Sequence, residues 1–228
     1  MSDARDVFER IYITAHWEGG SGQGSRSDVT AVYRSVVERL ISSPDVRSVV
    51  DAGCGDWEFA RLIDWTSVTY TGVDVVPAVV ERNVDDFGSA NVSFVCKNLC
   101  SERLPPADLL ICKDVLQHWP IEWIEHFLNS ALDGYRYLLL TNDVSSVHCP
   151  PASLNSQISL GAWRTIDLER PPFGVRPRWR LDYDVRGEWT KRILLVVPRR
   201  HILWARISSD SALNKVRSAF PTPPPEEP

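Results

Sequence analysis

Two short stretches carry the residues best suited to chemistry. Gly53 and Gly55 follow Asp51 directly after a β-branched run, with Asp56 next in line. Paired glycines there allow a tight turn and a close backbone approach to a ligand, and a helix beginning near Glu58 would offer free N–H groups to an anion. Asp74 and Val75 end the next apolar run, about twenty residues on, where a carboxylate can take both hydroxyls of a ribose. Glu58 stands in the third position of a G-x-G-x-x-G pattern, where its charge would repel a pyrophosphate, so a dinucleotide fits poorly. The second stretch is Lys113 to His118. His118 lies four residues after Asp114, a spacing that on a helical turn lets the carboxylate orient an imidazole base. Asp143 and His148, after the fifth predicted strand on the opposite side of the expected cleft, are second candidates, either of which could reach an acceptor. With Asp114 they would also suit Mg or Mn, although the sequence contains no closed metal motif, and a divalent metal is not specifically indicated.

These residues need a scaffold that brings strand ends together. Apolar residues from Val29 to Leu40 recur at three- and four-residue spacings and predict a helix starting near Ser27 or Asp28. Strands are predicted at 46–50, 69–73, 92–96, 109–112 and 137–140, with helices at 58–63, 78–86 and 121–132 between them. This alternation predicts an α/β fold: a Rossmann-like, mostly parallel seven-stranded sheet with helices on both faces, closed by strands near 179–183 and 193–197. Ligands of such sheets sit beyond the carboxyl ends of the strands, where all the residues above converge. The stretch 145–180, rich in Pro, Ser and Arg, reads as a long functional loop. The expected organisation is one domain over 1–220, with residues 1–27 as a lid segment and 143–188 as a substrate-side insertion. The Pro-rich tail 221–228 is expected to be disordered.

Composition limits the partners. At 228 residues and 43% hydrophobic content the chain can bury one sizeable core. A formal charge of −5 gives no global field for nucleic acid, although the arginines at 176, 178 and 180 are locally basic. No stretch approaches the ~20 apolar residues of a membrane helix, so no membrane insertion is expected. Five cysteines without paired metal spacing, and a charged amino terminus, lead to the expectation of a reducing, cytoplasmic location. His126 and His201 read as surface or packing residues. Nine tryptophans are many for this length, and Trp17, Trp119 and Trp163 fall in loop-like sequence where rings can meet a flat ligand.

VVDAGCGD at 49–56, YTGVDVVP at 70–77, KNL at 97–99 and ADLLICKDVLQHW at 107–119 resemble, in order and spacing, the successive motifs of class I S-adenosylmethionine-dependent methyltransferases. The resemblance covers roughly the first two thirds of the chain. It implies S-adenosylmethionine as cofactor: Asp51, Gly53 and Gly55 around the methionine part, Asp74 at the ribose, Asn98 and Leu99 at the adenine, and Asp56, Val75 and Lys113 as further cofactor-binding residues. Trp57 stands where this family often has a third glycine, and Asn98 where it often has an aspartate. IYITAHWEGGSGQGS at 11–25 and GAWRTIDLERPPF at 161–173 resemble flanking motifs of a small bacterial subset associated with glycan and sugar O-methylation. This implies a lid in which Trp17 and Ser25 cover the cofactor. The activity so implied is methyl transfer to a hydroxyl of a small-molecule or oligosaccharide acceptor by in-line displacement. His118 is the leading general base, with Asp114, Asp143 and His148 as further catalytic candidates. Trp119, Trp163 and Arg164 would form the acceptor wall. An N-methyltransferase of a peptide terminus or amine metabolite, and an inactive cofactor-binding module, are the alternatives. The acceptor, the choice of O over N, and monomer or homodimer are left open.

Overall fold

The computed structural model describes residues 4–18, 20–198 and 211–221. His201 and the tail beyond Pro221 lie outside the described residues. The seven strands are β1 (Ser48–Ala52), β2 (Thr69–Asp74), β3 (Val92–Cys96), β4 (Leu109–Lys113), β5 (Tyr137–Ser146), β6 (Trp179–Val185) and β7 (Trp189–Val196). They form one sheet in the order β3-β2-β1-β4-β5-β7-β6. The pairings among β1 to β5 are parallel, and β7 runs antiparallel between β5 and β6. β1 and β4 are apolar runs rather than alternating ones, as suits strands buried on both faces. Tyr33, Val36, Val49 and Ile111 belong to the core on one side of the sheet, and Val50, Leu110, Ile124 and Leu138 to the core on the other.

The described helices are α1 (Ala4–Ile13), α2 (Ala31–Ile41), α3 (Pro77–Phe87), α4 (Ile121–Gly134) and α5 (Ser211–Ala219). α2 buries Tyr33, Val36, Val37, Leu40 and Ile41 along one stripe, and it starts three residues later than its periodicity predicts. α3 begins at Pro77, whose fixed φ and missing N–H suit a first helical turn. The helix predicted at 58–63 is not formed: the chain makes one 3₁₀ turn, Ala60–Leu62. Trp57 takes a left-handed φ of 60° and sinks between Tyr70, Phe87 and Phe94. Phe59, Ala60, Ile63 and Trp65 are buried with it. Tertiary burial of these residues overrides the helical spacing.

Three differences shape the ligand-facing edge. Residues 4–13, within the expected lid segment, are helical. β5 extends to Ser146 because β7 continues to pair with it beyond Leu140, with a bulge between Asp143 and Ser145. β6 and β7 join through a tight turn in which Arg186 and Gly187 have φ of 57° and 71°.

Candidate active site

Two cavities open at the carboxyl ends of β1, β2 and β4. The first is a part-open cavity with a volume of about 90 Å³. Its floor is the glycine turn. Gly53 has φ 83°, and a Cβ there would stand 2.4 Å from Val115 Cγ2. Gly55 has φ 55°, and a Cβ there would stand 2.1 Å from Ser21 Oγ. Side chains are therefore excluded at both positions, sterically and by conformation. The turn's N–H groups are already engaged: Gly53 and Cys54 donate to Val73 O, Gly55 to Asp74 Oδ2 at 3.1 Å, and Asp56 to Ser21 Oγ at 2.8 Å. With no helix after the turn, the expected helix-terminal anion site is absent there.

Asp74 is 8% exposed, lines this cavity, and also accepts from Val76 N at 3.0 Å. Burial raises its carboxyl pKa, a cost that hydrogen-bond donors on a ligand would offset. Trp17, Ser25, Gly53, Gly55, Val75, Asn98, Leu99 and Lys113 line the cavity with it. Asn98 Oδ1 accepts from Cys100 N at 3.0 Å. Two predicted residues are displaced from the lining. Asp51 lies beneath the floor, where its carboxylate accepts from the Tyr70 hydroxyl at 2.7 Å and burial raises its pKa to about 7. Asp56 holds the amino-terminal segment, accepting from Ser21 N at 3.0 Å, while its other oxygen is buried with no hydrogen-bond partner.

The amino-terminal segment is tied down at several points. Tyr12 and Ser21 hydroxyls bond at 2.9 Å, and Lys113 Nζ donates to Gly24 O at 2.7 Å. Ala4, Phe8 and Tyr12, spaced four apart on α1, all line the first cavity. That spacing was present in the sequence and marks residues that motif reading passed over.

The second cavity, about 370 Å³, is lined by residues of β6 and β7. It shares Trp17, Ser21, Asp114 and His118 with the first, so His118 stands in the wall between them. The Trp17 and His118 rings lie 4.8 Å apart. His118 Nδ1 is 3.0 Å from Ala162 O. Because a carbonyl can only accept, Nδ1 carries the proton and Nε2 keeps a lone pair. Burial lowers the imidazole pKa to about 4, so the ring is neutral at physiological pH.

The predicted partnership of Asp114 with His118 is replaced by another. Asp114 has φ 58° and is followed by a 3₁₀ turn, Leu116–His118, which breaks the helical spacing. Its carboxylate bridges Lys113 and Lys191, the latter at 2.8 Å. Burial pushes its pKa upward, but the two ammoniums outweigh this and hold it at about 2. Lys191 also donates to Asp143 at 2.7 Å, and Asp143 exchanges two hydrogen bonds with the Gln117 side chain. His148 is exposed at the second cavity, bonded to Glu188 at 3.1 Å. Among the described residues, no group of three or more His, Cys, Asp or Glu side chains is placed to hold a metal ion. The Asp114, Asp143 and His148 set is drawn apart to Lys191 and Glu188.

The predicted acceptor wall also divides. Trp163 lines the second cavity. Trp119 is buried, lines the first cavity instead, and packs edge-on against Phe127. Arg164 lines neither cavity: it is 1% exposed and braces the turn by donating to Gln117 O at 3.1 Å.

No family model and no curated protein matches the chain. Solved structures do. Magnesium protoporphyrin IX methyltransferase from Synechocystis PCC 6803, with bound S-adenosylhomocysteine, has a TM-score of 0.60 at 14% identity, covering 86% of this chain and 100% of that one. The N-methyltransferase NodS from Bradyrhizobium japonicum WM9, in complex with S-adenosylhomocysteine, has 0.60 at 11%, covering 87% and 100%. Human N-acetylserotonin methyltransferase, in complex with S-adenosylmethionine, has 0.58 at 18%, covering 86% and 60%. The fold is the Rossmann-like fold of S-adenosylmethionine-dependent methyltransferases. Among the described residues no helix is long and apolar enough to cross a membrane.

Proposed function

We propose that the chain is an S-adenosylmethionine-dependent methyltransferase acting on a hydroxyl of a small acceptor, a saccharide or glycan precursor in the first instance, with His118 as general base. The observation that carries this is the position of His118: a neutral imidazole with a free Nε2, in the wall shared by two cavities on a methyltransferase fold.

Several residues of the first cavity suit the cofactor. The Asp74 carboxylate, which faces the cavity, suits ribose hydroxyls. Leu99, Trp119 and Trp123 present apolar surface for an adenine. When bound, S-adenosylmethionine supplies a methyl group already activated on a sulfonium. What remains for the protein is to align the acceptor, exclude water and take a proton. The lid of α1, Trp17 and Ser21 closes the first cavity. His118 Nε2 receives the proton that the acceptor hydroxyl sheds as its oxygen gains positive charge, so an imidazole of depressed basicity suffices. The N-methyl reading has less support, because Asp114 and Asp143, the carboxylates it would use to hold an ammonium, are both engaged by Lys191.

Thermal unfolding tests the cofactor reading. A ligand that binds only the native state adds RT ln(1 + [L]/Kd), about 2.7 kcal/mol at a hundredfold excess over Kd. For a chain of this size that corresponds to a rise in Tm of roughly 5–11 °C. An unchanged Tm at millimolar S-adenosylmethionine and S-adenosylhomocysteine overturns the proposal. Asp74→Ala removes charge-assisted hydrogen bonds worth roughly 1.5–3 kcal/mol each, so calorimetric titration should show cofactor binding weakened by at least about tenfold. Retention of the wild-type Kd in the folded variant would mean that the ribose lies elsewhere.

A further inference from the structure

We propose that the second cavity selects an uncharged, ring-bearing hydroxyl compound, stacked on tryptophan faces, and discriminates against phosphorylated and ammonium-bearing acceptors. This deepens, and rests on, the reading of the second cavity as the acceptor site.

Rings mark both ends of the cavity. Trp17 packs on His118 beside the base, and Trp189 packs on His148 with ring centroids 5.4 Å apart. Trp163 completes the aromatic lining. Trp189 and Lys191 are two residues apart on β7 and so share one face of the strand. That face turns from charged to aromatic as it runs outward from the base. Flat faces of this kind stack on glycosyl or aromatic rings at small entropic cost.

The charged residues of the lining are already matched within the protein. Lys191 sits between Asp114 and Asp143, and Lys113 on Asp114 brings two ammoniums against two carboxylates. At the rim, Arg186 pairs with Asp28, and Glu18 with Arg26 and Gln23. A phosphate or ammonium reaching the inner part of the cavity would lose its water and find Lys191, Asp114 and Asp143 already engaged, and breaking one of these pairs would leave another buried charge exposed to the same penalty. A hydroxyl carries no such cost, because Gln117 and the remaining lone pairs of Asp143 can bond to it without disturbing the charge balance.

The test is calorimetric titration of protein saturated with S-adenosylhomocysteine, using two matched sets. One set is 2-naphthol, 2-naphthoate and 2-naphthylmethylamine; the other is methyl glucoside, its 6-phosphate and methyl glucosaminide. In at least one set the neutral member should bind roughly tenfold or more tighter than either charged member, and the set that shows this assigns the ring as aromatic or glycosyl. Trp163→Ala and Trp189→Ala should each weaken that binding by roughly threefold or more, while the affinity for S-adenosylhomocysteine stays at its wild-type value. A charged member binding as tightly as its neutral counterpart, no neutral member binding at all, or indifference to both tryptophan substitutions overturns the inference. Failure of S-adenosylhomocysteine itself to bind is read in the first titration and counts against the methyltransferase reading instead.

Discussion

Replacing His118 with alanine is expected to lower turnover by ~10²–10⁴-fold while the cofactor Kd stays close to that of the wild type. The separation of the two effects follows from the position of the ring. Its Nδ1–H is spent on Ala162 O, so Nε2 is the atom left to take a proton, whereas Asp74 and the glycine turn that would hold the cofactor are untouched. The pH dependence carries a second signature. An unperturbed imidazole would give a limb near pH 6.5. Burial lowers this one to about 4, so kcat/KM of the wild type should be flat from about pH 6 upward and fall only as pH drops toward 4. Stability follows the same sign. A folded-state pKa below the unfolded value means that the unfolded chain binds more protons between the two, so the contribution is complete above about pH 6.5 and is lost as pH falls toward 4. The urea midpoint of His118→Ala should therefore fall less than that of the wild type across this window. A folded His118→Ala protein with wild-type turnover would assign the histidine to packing against Trp17.

Lys191→Met should destabilise the fold by about 3–5 kcal/mol, the cost of removing one partner from a buried ionic cluster. Lys191 is 3% exposed and is held by two carboxylates; without it Asp114 retains Lys113, but Asp143 is left with the Gln117 side chain. For a chain of this length the loss corresponds to a Tm lower by roughly 6–20 °C. Pairing the change with Asp143→Leu, which removes the stranded carboxylate, should restore part of the loss, as double substitutions in a shared network do not add. A Lys191→Met Tm equal to that of the wild type would show that the cluster is open to water and contributes little. Recovery in the double variant without recovery of turnover would separate the role of the cluster in folding from its place in the lining of the second cavity.

The sheet and the first cavity were largely legible along the chain, for a local reason. Strands buried on both faces must be short apolar runs, and a turn that admits no Cβ must be glycine, so 49–55, 69–74 and 109–113 declare themselves by composition and spacing. Because parallel strands present their carboxyl ends on one edge, the convergence of Gly53, Gly55, Asp74, Asn98 and His118 followed from order alone. What the chain could not declare is which side chain meets which across long separations. Lys191 finds Asp114 and Asp143 at distances of 77 and 48 residues, and only the antiparallel insertion of β7 between β5 and β6 brings it there. The same packing turned Asp51 under the floor toward Tyr70, gave His118 the carbonyl of Ala162 in place of Asp114, and buried Arg164 away from both cavities. Periodicity and motif specify backbone paths and strand ends; the partners of a buried charge are chosen by the three-dimensional need to neutralise it, and that need is settled only when the distant strands have paired.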